Sequence, residues 1–75
     1  MLPPGLRAFL AVAQAGSMRE AAGRLRLAQS AVSRRIQQME ADLGVELLER
    51  GARGVTLTAA GEILLHHARE ATQHA

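Results

Sequence analysis

Apolar residues recur along the chain in helical blocks broken by glycines, serines and short polar stretches. Leu6, Phe9, Leu10 and Ala13 follow the i, i+3, i+4, i+7 spacing of one helix face. Pro3 and Pro4 stand just before them, where proline is tolerated because a first-turn N–H has no helical partner. Gly16 marks the stop, since glycine adopts a left-handed C-terminal conformation at little cost. Ser17-Met18-Arg19-Glu20 is a capping box that opens a second helix, with Met18, Ala21, Ala22 and Leu25 on its apolar side. This helix covers barely two turns, so packing must hold it.

The most regular block runs from about Gln29 to Leu43. Val32, Ile36, Met39 and Leu43 fall in one narrow sector, and Ser30, Ser33, Arg34 and Gln37 lie nearly opposite; Gly44 terminates the block. A merely solvated face would be richer in Glu and Lys. Val45–Arg50 and Val55–Thr58 predict two short strands around Gly51-Ala52-Arg53-Gly54, a hairpin too short to stand alone. Thr58 is placed to cap a last helix from about Ala59 to the C-terminus. Its apolar side holds Leu64, Ala68, Ala71 and Ala75, with Ile63 beside them. Beyond the hairpin little surface of its own domain is left to cover, so this side is expected to meet a partner helix.

Composition narrows the class. A chain of 75 residues and 8.0 kDa makes one small domain, and 48% hydrophobic with 21% charged residues is a globular balance. The absence of cysteine excludes a disulfide framework and a thiolate metal site, and fits a reducing cytoplasm. No apolar run approaches the roughly 18 residues of a membrane span, and no signal pattern opens the chain. The net charge is only +2, and all nine basic residues are arginine. Arg19 to Arg35 holds five arginines against one acid; Glu40 to Glu49 holds four acids and no base; Arg50 and Arg53 follow. Such a polarised domain suits a polyanion that touches two separated segments.

Catalysis is not expected. Ser17, Ser30 and Ser33 have no visible base or oxyanion site beside them, and there is no glycine-rich phosphate loop. No cofactor is implied. His66, His67 and His74 raise a metal site, but adjacent histidines do not share a helix face and no cysteine–carboxylate set surrounds them. They read as exposed or interfacial, with no metal.

Three helices, a short turn between the second and third, and a small hairpin describe a mainly α winged helix-turn-helix. A helix fits the major groove, where Arg suits guanine and Gln suits adenine through paired hydrogen bonds. The Gly-flanked tip of the hairpin suits a minor groove or phosphates. The ordered string Phe9-Leu10-Ala11-Val12-Ala13, Gly16-Ser17, Ala21-Ala22, Leu25, Gln29-Ser30-Ala31-Val32-Ser33-Arg34-Arg35-Ile36, Glu40, Leu43-Gly44, Leu47-Leu48-Glu49-Arg50 and Leu57-Thr58-Ala59-Ala60-Gly61 resembles the N-terminal domain of LysR-type transcriptional regulators. It covers nearly the whole chain.

The resemblance implies a winged helix-turn-helix DNA-binding domain over residues 1–58 and a linker and dimerisation helix over 59–75. Members usually continue into a ligand-sensing domain, so an effector would act only through a portion absent here. Double-stranded DNA and a second copy are the implied partners, the dimer extending to higher oligomers in a full-length protein. Gln29, Ser30, Ser33, Arg34 and Gln37 would face base edges. Ser17, Arg19, Arg35, Arg50 and Arg53 would meet phosphates or the minor groove, although Arg50 has the alternative of a structural ion pair with a nearby acid. Ile63, Leu64, His67, Ala68 and Ala71 would pair the two copies.

Departures from the family pattern lie at Ala28, where Ser or Thr is common, and at Ser30, where Pro is frequent. Alanine cannot cap, so Ser30 is expected to substitute in part from inside the helix. Met18 and Leu48 replace frequent Phe, which is a conservative change of packing. Two other classes stay open on the residues alone: a protein-interaction module that uses the last helix, and a structured RNA-binding domain. The second lacks an aromatic set for stacking bases.

Overall fold

The computed structural model describes residues 2–73. Helices α1 (Pro4–Ala15), α2 (Met18–Leu25) and α3 (Gln29–Leu43) pack together. The strands β1 (Leu48–Gly51) and β2 (Gly54–Leu57) form an antiparallel hairpin, and α4 (Ala59–Gln73) follows. Ala8, Phe9 and Val12 of α1, Ala21 and Ala22 of α2, and Val32 and Ile36 of α3 form the buried core, closed by Leu47, Leu48 and Leu65. The fold is the mainly helical winged helix-turn-helix expected from the sequence.

Local chemistry explains the boundaries. Pro4 occupies the first turn of α1, and Gly16 ends that helix at φ 76°, its N–H donating to the Val12 carbonyl. The Ser17 hydroxyl accepts from the Glu20 N–H at 3.0 Å, which is one arm of the capping box. The other arm is replaced, because the Glu20 carboxylate turns to Arg24 at 3.7 Å. The turn between α2 and α3 is tight. Arg26 adopts φ 57°, and the N–H of Leu27 donates to the Ala22 carbonyl at 3.0 Å. This is a Schellman closure made without glycine, in a conformation that costs a non-glycine residue about 1 kcal/mol or more.

The start of α3 corrects one expectation. Ala28 is its N-cap with no side-chain cap bond, and no hydroxyl bond from Ser30 occurs among the described residues. A serine inside the first turn points its hydroxyl off the helix flank, so only the Ala28 carbonyl serves this end, accepting from Ala31 and Val32.

The expected strands also shift. Residues 45–47 are not strand, because the Leu47 N–H is taken by the Glu40 carboxylate, although the Leu47 carbonyl still accepts from the Thr58 N–H in register with the hairpin. Pairing begins at Leu48↔Leu57 and ends at Gly51↔Gly54, leaving Ala52-Arg53 as the turn. Thr58 belongs to the last helix: its hydroxyl accepts from the Gly61 N–H at 3.0 Å and donates to the Glu46 carbonyl at 2.7 Å.

The buried stripes are close to those read from spacing, with three adjustments. In α1 the deepest positions are Ala8, Phe9 and Val12, while Leu6, Leu10 and Ala13 are half-buried against them. Leu43 is 55% exposed, together with Val45, at the far end of α3. In α4 the anchor is Leu65, with Gly61 also buried, rather than the side centred on Leu64.

Candidate nucleic-acid interface

Burial of Val32 and Ile36 fixes the rotation of α3, so the opposite stripe is turned out. Gln29, Ser30, Arg34 and Gln37 are exposed and Ser33 is half-buried. The glutamines and serines can both donate and accept hydrogen bonds, whereas Arg34 only donates. Ser30 and Arg34 lie opposite the core, with Gln37 and Ser33 beside them and Gln29 at the start of the helix on the side nearer Ile36. Ser30, Ser33, Arg34 and Gln37 share one helix face, within about 100° of arc, and Gln29 lies at its edge in the first turn.

The hairpin stands beside this stripe. A cleft of about 500 Å³ between α3 and β1 is lined by Gln37, Glu40, Glu46, Leu48, Glu49 and Arg50. In the strand register Arg50 lies on the same face as Leu48, towards the helices, whereas Glu49 and Thr56 face the other way. Among the described residues the ion pairs are Arg24–Glu20 and His66–Glu70, so the alternative of an Arg50 ion pair is not realised. Arg53 is exposed in the two-residue turn.

Chain-distant segments also converge. Gly54 has φ 111°, and a Cβ there would come within 3.9 Å of the Gly16 carbonyl. The hairpin turn thus lies beside the α1–α2 junction, which carries Ser17. Ser17 is half-buried as the α2 cap, and Arg19, two residues on, is exposed and lines a shallow pocket with Ser17, Glu20, Gly23 and Arg24. Arg35 is set apart. It lies on the flank of α3 that borders an apolar groove of about 440 Å³ with Pro3, Pro4, Leu6, Met39 and Leu43, away from Ser33 and Gln37.

On α4, Ile63 is 60% exposed, His67 and Ala71 are exposed, and Leu64 and Ala68 are half-buried. Leu64 packs partly on its own core. Helical spacing puts Ile63, His67, Ala71 and Leu64 on one flank of the helix. His66 lies off that flank, 3.5 Å from the Glu70 carboxylate, a pair that is ionic when the imidazole is protonated. His74 and Ala75 lie outside the described residues. No group of three potential metal ligands occurs among the described residues, and no helix there is long and apolar enough to cross a membrane.

Glu40, visible in the sequence only as a member of the acidic run from Glu40 to Glu49 and of the family string, has a specific structural partner. Its carboxylate accepts from the N–H groups of Leu47 at 2.7 Å and Leu48 at 3.2 Å. One signal was available. An acid in the last turn of a helix opposes the macrodipole, and that local penalty points to a specific partner.

Comparison with known proteins gives a consistent picture. Residues 5–62 match the family described as bacterial regulatory helix-turn-helix protein, lysR family. The chain is 55% identical over 64 residues to the HTH-type transcriptional regulator TcbR of Pseudomonas sp. (strain P51), covering 85% of this chain and 22% of that protein. It is 53% identical over 64 residues to ClcR of Pseudomonas putida, with the same coverage of 85% and 22%. The chain therefore spans under a quarter of these relatives. Among solved structures it resembles the CbnR DNA-binding domain in complex with DNA (TM-score 0.86, 49% identity, 97% of this chain and 84% of that one). It also resembles the BenM DNA-binding domain bound to catB site 1 DNA (TM-score 0.88, 39% identity, 99% and 83%).

Proposed function

The chain belongs to the LysR family of bacterial regulatory helix-turn-helix proteins, and from that premise we propose that it is the DNA-reading domain of a transcriptional regulator, binding duplex DNA sequence-specifically as a dimer. The observation that carries this reading is the polar stripe of α3, in which Ser30 and Arg34 stand opposite the fully buried Val32 and Ile36, with Gln37, the half-buried Ser33 and Gln29 along its edge. With α3 in the major groove, Arg34 and the glutamines discriminate bases. Each well-aligned bidentate contact contributes roughly 1–3 kcal/mol of discrimination.

The remaining basic residues position the domain. Arg53 at the hairpin turn and Arg50 on the face towards α3 meet the minor groove or phosphates. Ser17 and Arg19 at the start of α2 meet the phosphates of the neighbouring segment, and Arg35 contacts the backbone from the flank of α3. The Ile63, Leu64, His67, Ala68 and Ala71 flank of α4 pairs two copies, so that two α3 helices read two half-sites. That the similar CbnR and BenM domains were solved with DNA supports the assignment. The role is binding without catalysis or cofactor, in the cytoplasm, and any effector acts through a part of the regulator other than these residues.

Selection of bound duplexes from a random pool tests the proposal. Recovered sequences carrying a symmetric pair of half-sites support it. Sequences with no shared motif, or no recovery above background, would refute it.

A further inference from the structure

We infer that Glu40 is a positioning residue that aims the hairpin at DNA relative to α3; this rests on the DNA-binding reading above. One side chain of α3 holds the entry to β1. The Glu40 carboxylate accepts from the Leu47 and Leu48 N–H groups at 2.7 and 3.2 Å, and the Glu40 carbonyl accepts from Gly44 and Val45 at 2.8 and 3.2 Å. Residues 44–48 are thus tied to a single residue, three positions beyond Gln37 of the reading stripe. Hydrogen bonds to a carboxylate are shorter and roughly twice as strong as neutral ones. On the other side Thr58 fixes the same segment through the Leu47 and Glu46 carbonyls, at 3.1 and 2.7 Å.

Geometry makes this clamp matter at the far end. Gly51 stands three residues beyond Leu48, about 10 Å along the strand, and Arg53 lies just past it in the turn. A tilt of about 15° at the base therefore moves the turn by about 3 Å, the length of a hydrogen bond. A Cβ added at Gly54 would lie 3.9 Å from the Gly16 carbonyl, and no backbone hydrogen bond joins the two segments. Leu48, Val55 and Leu57 seat the hairpin on the core, and Thr58 holds its base from the end of β2. Glu40 is the α3 side chain that ties the strand entry to the reading helix, so the aim of Arg50 and Arg53 relative to α3 depends on it.

The test separates geometry from charge. Glu40→Gln keeps the length and loses the charge; Glu40→Asp keeps the charge and falls one methylene short; Glu40→Ala removes both. Each is combined with Arg53→Ala, circular dichroism confirms folding, and affinity for a cognate duplex is measured across salt concentrations. Glu40→Ala and Glu40→Asp are expected to reduce the slope of log affinity against log salt by about one for each phosphate that is no longer neutralised, as Arg53→Ala does. Adding Arg53→Ala to either should cost little more. Glu40→Gln should restore both the slope and the full effect of Arg53→Ala. If Glu40→Ala does not fold, the Asp and Gln variants decide the matter.

A purely structural or charge role predicts otherwise: a wild-type slope in Glu40→Asp with Arg53→Ala still at full cost, or a changed slope in Glu40→Gln alone. Either result overturns the inference. Absence of salt-dependent binding by the unmodified chain would instead overturn the DNA-binding reading itself, and the inference with it.

Discussion

Gly61 lies directly under Leu47: a Cβ built on Gly61 would run into the Leu47 carbonyl oxygen. That carbonyl already accepts from the Thr58 N–H, so it has no freedom to swing away. The first turn of α4 can approach the base of the hairpin only because residue 61 has no side chain. Gly61→Ala is expected to destabilise the fold by about 1–3 kcal/mol, the cost of overpacking a closed contact. Gly23, in the interior of α2 with nothing within 4 Å of an added Cβ, is the control. Gly23→Ala should stabilise by about 0.5–1 kcal/mol. Urea denaturation of the two variants, read for opposite shifts in midpoint, checks the pair.

Ala28 holds the extended backbone of a helix cap, at φ −69° and ψ 149°, without a side chain able to cap. Ala28→Ser is expected to supply an acceptor to the free N–H groups of the first turn and to stabilise by about 1 kcal/mol. Thermal melting should show a higher midpoint. An unchanged or lower midpoint would mean that the first turn of α3 is already satisfied.

Ile63 is a large apolar side chain on the outer flank of α4, off the buried line of Gly61 and Leu65. Ile63→Glu is expected to weaken self-association while leaving the unfolding free energy of the single copy within about 0.5 kcal/mol of the parent, as for exposed positions generally. Sedimentation velocity over a range of concentrations reads the first effect. A dimer of unchanged strength would place the pairing surface elsewhere.

Much of this was legible in the residues because the cues were local. Gly16, the Ser17 cap, Gly44 and the Val32/Ile36 spacing act within a turn of chain, and each does in the structure what its type dictates. The outward stripe of α3 followed from the same periodicity. What escaped were relations between elements. Residues 45–47 have a strand-like pattern, but the Leu47 N–H turns to the Glu40 carboxylate and leaves only the Leu47 carbonyl to continue the pairing, with Thr58. Leu43 fits the buried spacing of α3, yet the helix runs past the packing partner that would cover it. Leu64 and Leu65 are indistinguishable by composition; only the hairpin resting on Gly61 decides that Leu65 turns inward. The neighbourhood of Gly16 and Gly54 had no signal in the sequence at all.

Two arginines distinguish base reading from positioning most directly. Affinities of the parent chain, Arg34→Ala and Arg53→Ala are measured against a selected duplex and a scrambled one at fixed salt. Arg34→Ala is expected to weaken the selected duplex by about 1–3 kcal/mol and leave the scrambled one little changed, flattening the preference. Arg53→Ala should weaken both duplexes alike. Equal losses on both duplexes in the Arg34 variant, with the preference intact, would contradict the assignment of α3 as the reading helix.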